Sequence, residues 1–234
     1  RLAPWRAVEA QHQISTRKLV DSREEQELLE VLIDRVKPVA PAASRRLHDL
    51  LFTPFRYPPL RHGSRFGTRR DPGIWYGAET LPTAFAEVAY YRMLFLEGTR
   101  APLGPVTTQL TAFRVTARSP RGVDLVSAPF VSYRRAIASP VSYTASQALG
   151  HAMRGAGAQL FTYPSARDPD RGINVGIFTP TVFGKSKPRD LQTWDCTASR
   201  DVVELAKRDY FGRDAHTFER EVFLVAGQLP SPAF

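Results

Sequence analysis

Residues 80–96 read as a helix that is apolar on nearly every side yet carries one acid, Glu87. Pro82 stands in the first turn and Gly98 follows the end, and these are helix start and stop signals. Leu81, Phe85, Val88, Ala89, Phe95 and Leu96 share one face, while Tyr91 and Leu94 carry apolar character round to the other. Such a helix has to be buried, so other elements must cover it. A buried carboxylate is costly unless it is paired or used. Read by itself, Glu87 fits either a structural ion pair with a nearby arginine or a catalytic carboxylate.

The covering elements are mixed in type. Nineteen prolines spread through 234 residues favour short elements and ordered loops over a helical bundle. Ser22-Arg23-Glu24-Glu25 is a capping-box pattern, and Leu28, Leu29, Val31, Leu32 and Val36 follow at helical spacing, predicting a helix over 23–36. Further helices are expected at 45–51, at 144–155 behind a second capping box, and at 201–209. Strands are expected at 74–76, 109–117, 123–126, 159–163, 174–178 and 221–226, the second and third as neighbours. Without regular alternation this is α+β, with a mixed, partly antiparallel central sheet and flanking helices. Residues 1–50 are expected to be an N-terminal helical extension, and 51–234 the catalytic domain.

Between Arg56 and Arg70 the chain carries five arginines and one histidine, with no acid until Asp71. Arginine forks match phosphate oxygens in two-point contacts. The segment is laced with Phe55, Pro58, Pro59, Leu60, Gly63 and Gly67, which suits a concave small-molecule site more than a flat electrostatic surface. The net charge of +9 also admits a solvated basic loop or a nucleic-acid-binding module without catalysis. Arg69 and Arg70, beside Asp71, are expected at the surface. In the pair Trp75-Tyr76 one ring should face the core and the other outward. Trp75 is the core candidate and Tyr76 the ring that borders a ligand. Ser165 closes one strand and Asn174 opens the next. No Gly-x-Ser-x-Gly elbow surrounds Ser165, so it does not read as an activated nucleophile.

One cysteine, Cys196, precludes an intramolecular disulfide, and the five histidines show no metal spacing. No metal is expected. His62 lies in the basic loop within reach of a ligand. No apolar run approaches the ~18 residues of a membrane span, and the first residues lack a signal-peptide pattern, so a cytoplasmic location is expected.

Phe55-Arg56-Tyr57, Arg65-Phe66-Gly67, residues 74–80, Ala86-Glu87-Val88-Ala89 and residues 161–167 together resemble the RES-domain family, named for an arginine, a glutamate and a serine. The stretch from Val8 to Val20 resembles its longer members. The resemblance implies a fold similar to ADP-ribosyltransferase toxins and an activity that consumes NAD. The nicotinamide–ribose bond is split, and ADP-ribose passes to water, phosphate or a protein. It also implies a toxin whose partner is an antitoxin with an Xre-type helix-turn-helix, expected to occlude the active site. By motif position the arginine is Arg56 or Arg65, the glutamate Glu87 and the serine Ser165. Tyr76 matches an aromatic of the family's site, and His62 and Asn174 join the expected NAD-binding set.

Overall fold

The computed structural model describes residues 1–10, 19–59 and 61–232. His12, the remainder of 11–18 and Leu60 lie outside the described residues. In chain order the elements are β1 (Trp5–Glu9), α1 (Arg23–Val36), α2 (Asp49–Arg56), β2 (Trp75–Ala78), α3 (Leu81–Glu97), β3 (Val106–Arg114) and β4 (Gly122–Asp124). They continue with α4 (Arg134–Ile137), α5 (Thr144–Gly155), β5 (Leu160–Pro164), β6 (Ile173–Ile177), β7 (Arg189–Ala198), β8 (Val202–Lys207) and β9 (Ala215–Glu219).

Among the described residues the strands form one open sheet in the order β4-β5-β6-β2-β1-β3-β7-β8-β9. The β4–β5 edge pair is parallel and the other pairings are antiparallel. This is the expected mixed α+β sheet. Side chains of neighbouring residues on a strand point to opposite faces, and the core divides accordingly. On one face α3 lays Phe85, Ala89, Tyr90 and Met93 over Leu110, Trp194, Leu205 and Phe218. Beside that cluster, on the same face, Phe66, Phe161, Tyr163 and Phe178 pack with Ile137 of α4 and Met153 of α5. On the opposite face Trp75, Phe113, Val175 and Ile177 pack with Leu50, Leu51 and Phe55 of α2.

Several expectations change. Trp5–Glu9 is not part of a helical extension but a strand near the middle of the sheet. Its two faces are both covered, with Ala7 on the α3 cluster and Val8 on the α2 cluster, so no period of two marks it in the sequence. α1 and its Ser22–Glu25 capping box form as read. The second helix runs later than expected, over Asp49–Arg56, and takes Pro54 inside it. Val123 pairs with β5, not with the 109–117 strand. Residues 201–209 contain β8: Val203 and Leu205 point into the core and Glu204 outward, a spacing of two. Residues 220–223 form a 3₁₀ turn where a strand was expected. α5 begins as predicted, but no side chain caps it. On α3, Phe95 is 65% exposed, so the buried face turns through Tyr90, Met93 and Leu96 instead. No described helix is long and apolar enough to cross a membrane.

α5 touches the basic loop at Gly150. A Cβ there would lie 2.0 Å from the Phe66 carbonyl oxygen, whereas one at Gly155 would meet nothing within 4 Å. Gly150→Ala is expected to lower stability by about 1–3 kcal/mol. Gly155→Ala should be neutral or stabilising. Urea unfolding of the two variants checks both signs.

Candidate active site

The site is built where α3 faces the ends of β2 and β5 and the start of β6. Thr80 caps α3 by accepting from the Thr83 backbone N–H at 3.3 Å. The Thr83 hydroxyl then donates to Asp168 Oδ2 at 2.7 Å. Asp168 also accepts from the backbone N–H groups of Asp170 and Gly172, so the 165–172 turn is clamped to the helix start. A Cβ at Gly172 would lie 2.1 Å from Thr83 Oγ1, and that closeness explains a glycine at this point.

The clamp orients Ser165. Its Oγ accepts from the backbone N–H groups of Arg167 and Asp168, each at 3.1 Å. With both acceptor positions used, the hydroxyl has only its proton to give. It donates that to Glu87 Oε1 at 2.8 Å. Asn174, at the start of β6, donates its Nδ2 to the same oxygen at 2.6 Å. Glu87 Oε2 receives no hydrogen bond, and the carboxylate has no ion pair, among the described residues. The structural ion pair that Glu87 also fitted is therefore not formed. Since a carboxylate only accepts, Nδ2 must face it, which turns Asn174 Oδ1 the other way, buried and without a partner among the described residues.

Glu87 and Asn174 line a cavity of about 470 Å³ with Arg6, Ser64, Arg65, Tyr76, Tyr143 and Tyr163 among its walls. Arg65 sits on the tight turn closed by Ser64 N–H to Gly67 O at 2.7 Å. It is buried, donates Nη1 to the Ser139 carbonyl at 2.8 Å, and lies 4.7 Å from the Tyr143 ring centre. Arg56 is placed elsewhere. It ends α2, donates to the Pro38 carbonyl at 2.6 Å and lines no cavity at this site, because the helix carries it away from the loop. Of the two candidate arginines, Arg65 is the one in the cavity. Arg61, Arg69 and Arg70 are exposed. His62 lines a neighbouring cavity rather than the one that holds Glu87.

Tyr76 borders both cavities while Trp75 is fully buried, as their sequence context implied. The Tyr76 hydroxyl bonds Ser64 Oγ at 2.9 Å and accepts from the Phe66 N–H at 3.1 Å. Burial pushes its pKa up to about 12.

Two cations escaped the sequence reading. Arg6 comes from β1. It donates Nη1 to the Tyr76 carbonyl at 2.5 Å, and its Nε is buried without a partner among the described residues. Burial lowers its pKa to about 10, so it stays a cation at neutral pH. Arg167 is buried beside Ser165, 3.5 Å from the Tyr90 ring centre, with Nη1 also unpartnered among the described residues. The motif around Ser165 contains Arg167 and could have flagged it. Only the pairing of β1 reveals Arg6.

A family model, the RES domain, matches residues 41–199, well over half of the chain. The chain belongs to the RES-domain family. No curated protein matches it. The match spans Arg65, Glu87 and Ser165, while Arg6 lies before it. The described residues of this RES-domain protein contain no group of three or more metal-ligating side chains.

Tyr76 gives a pH-dependent signature. Its folded pKa lies above the ordinary value of 10.0, so between that value and about 12 the unfolded chain holds fewer protons than the folded one. Stability from this group is present below pH 10 and is lost as pH rises. Tyr76→Phe should lower stability at neutral pH by about 1–3 kcal/mol, since it leaves the Phe66 N–H unpaired. It should also remove part of the alkaline loss. Urea midpoints from pH 8 to pH 11 check both.

Proposed function

We propose that this RES-domain protein splits the nicotinamide–ribose bond of NAD and passes ADP-ribose to an acceptor, acting as a toxin that arrests growth. The observation that carries the reading is the state of Glu87. One of its oxygens is pinned by Ser165 and Asn174, the other takes no hydrogen bond among the described residues, and the residue lines a cavity shared with Arg6 and Arg65, neither of which pairs with an acid there.

The chemistry follows from that arrangement. The C–N bond breaks with its electron pair moving to the pyridinium nitrogen, so nicotinamide leaves neutral and no general acid is required. Positive charge grows on the ribose carbon. A fixed carboxylate beside it stabilises the oxocarbenium-like state. The acceptor's lone pair then forms the new bond to that carbon and its proton passes to solvent. Ser165 is the hydrogen-bond donor that orients Glu87 rather than a nucleophile. Arg65 holds the phosphates and places the sugar, Asn174 Oδ1 accepts from a ribose hydroxyl, and Tyr76 packs against the ring. Water, phosphate and a protein side chain are all chemically competent acceptors.

An acidic segment of an Xre-type antitoxin suits the same cleft, and inhibition relieved by excess NAD would support that mode.

Pure protein incubated with NAD should release nicotinamide, with the fate of ADP-ribose read by mass spectrometry. Glu87→Gln should lose activity by about 100–1,000-fold with its circular dichroism unchanged. Arg65→Met should raise KM sharply and Arg56→Met should not. No nicotinamide release by the unaltered protein at high concentration would overturn the reading. Salt-sensitive nucleic-acid binding that survives Glu87→Gln would replace it with the basic binding module.

A further inference from the structure

Asp168 and Thr83 line neither cavity, and Asp168 has no ion pair among the described residues. Donors without charge meet its carboxylate instead. The Thr83 hydroxyl at 2.7 Å and the Gly172 N–H at 3.2 Å reach Oδ2, and the Asp170 N–H at 3.0 Å reaches Oδ1. Because a carboxylate only accepts, the Thr83 proton is committed to Asp168. The Thr80 hydroxyl, 2.7 Å from Thr83 Oγ1, must then give its own proton to Thr83. The charge on Asp168 therefore sets the direction of the hydrogen bonds that run from the cap of α3 to the 165–172 turn. Thr83 and Glu87 stand one helical turn apart and share a face of α3. The helix and the turn thus meet at two points, Thr83 on Asp168 and Glu87 on Ser165. The turn is closed by Ser165 N–H to Gly172 O at 2.8 Å and Arg171 N–H to Asp168 O at 3.0 Å. It holds Arg171 at a φ of 58°, a left-handed conformation that a residue with a side chain keeps only where its surroundings fix it.

We propose that Thr83 and Asp168 are positioning residues, the outer of two latches, which holds Ser165 so that the inner one keeps Glu87 in place. The inference rests on the NAD reading above and deepens it by naming residues that act on the carboxylate from outside the cavity. Ser165 has one proton, and that proton is directed to Glu87 while the N–H groups of Arg167 and Asp168 occupy its acceptor positions. Both N–H groups belong to the turn whose shape Asp168 fixes. Released from Thr83, the turn can slide along α3 and take Ser165 with it. Glu87 then keeps Asn174 as its remaining donor and loses its fixed direction. A misplacement of ~1 Å at a reacting centre costs up to about 100-fold in rate. Arg6 and Arg65, on β1 and on the Ser64–Gly67 turn, are not tied to this latch. The effect therefore falls on kcat and not on KM.

The test is the steady-state rate of nicotinamide release from NAD by Thr83→Val, Thr83→Ser and Asp168→Asn. Valine comes close to threonine in shape but has no proton to give. Thr83→Val should lower kcat on the order of 10- to 100-fold and leave KM within about twofold. Thr83→Ser keeps the hydroxyl and should stay within about threefold of the unaltered protein. Asp168→Asn turns an amide NH₂ toward a backbone N–H and should follow Thr83→Val; if it fails to fold, the two threonine variants carry the test. A clamp that serves stability alone would lower the urea midpoint of Thr83→Val and leave the kcat of the folded protein unchanged. That result, or a loss in Thr83→Ser as large as in Thr83→Val, overturns the positioning role while NAD cleavage by the unaltered protein stands. If the unaltered protein cleaves no NAD, both readings fall together.

Discussion

The structure turns on a carboxylate held at one oxygen only. Ser165, just past β5, and Asn174, on β6, converge on Glu87 Oε1, and Ser165 is itself fixed by two backbone N–H groups. Two neutral donors steady a negative group without cancelling its charge. A salt bridge would have fixed it as firmly and neutralised it. The surrounding arginines stay available for the same reason: Arg65 and Arg167 spend their hydrogen bonds on carbonyls of the 137–140 segment rather than on acids. Glu87 and Arg65 thus line one cavity without pairing with each other, whereas Arg92 and Glu9 on the same wall do pair.

The fold supplies that separation. The α3 cluster and the aromatic cluster around Phe66 lie side by side on one face of the sheet, and the cleft runs between them. α3 brings Glu87 from one side, and the glycine-bounded turn brings Arg65 from the other. Phe66, packed edge-on to Phe161 and Tyr163 at 4.6 and 4.7 Å, anchors the turn from beneath. Gly150 of α5 lets the helix close on it from behind.

Much of this was legible in the sequence because local signals were strong. The proline and glycine around residues 80–98 bracket α3, and the lone acid within it is the carboxylate at the centre of the site. Trp75 and Tyr76 took opposite sides as a strand requires. What the sequence concealed was long-range. Arg56 and Arg65 fit one pattern, and only the extension of α2 through Pro54 separates them. The β8 segment has valines compatible with either period until its partners β7 and β9 are known. Arg6 sits on a five-residue strand covered on both faces, which leaves no alternation to read.

The position of β1 reaches beyond the site. It is the first strand of the chain, it lies outside the matched family region, and it stands between β2 and β3. A fragment trimmed to the family boundary would therefore lose more than an end. It would carry two raw, hydrogen-bond-hungry margins through the heart of its sheet, an invitation to self-association. For handling this protein, the strand Trp5–Glu9 counts as the inside of the sheet rather than as a tail.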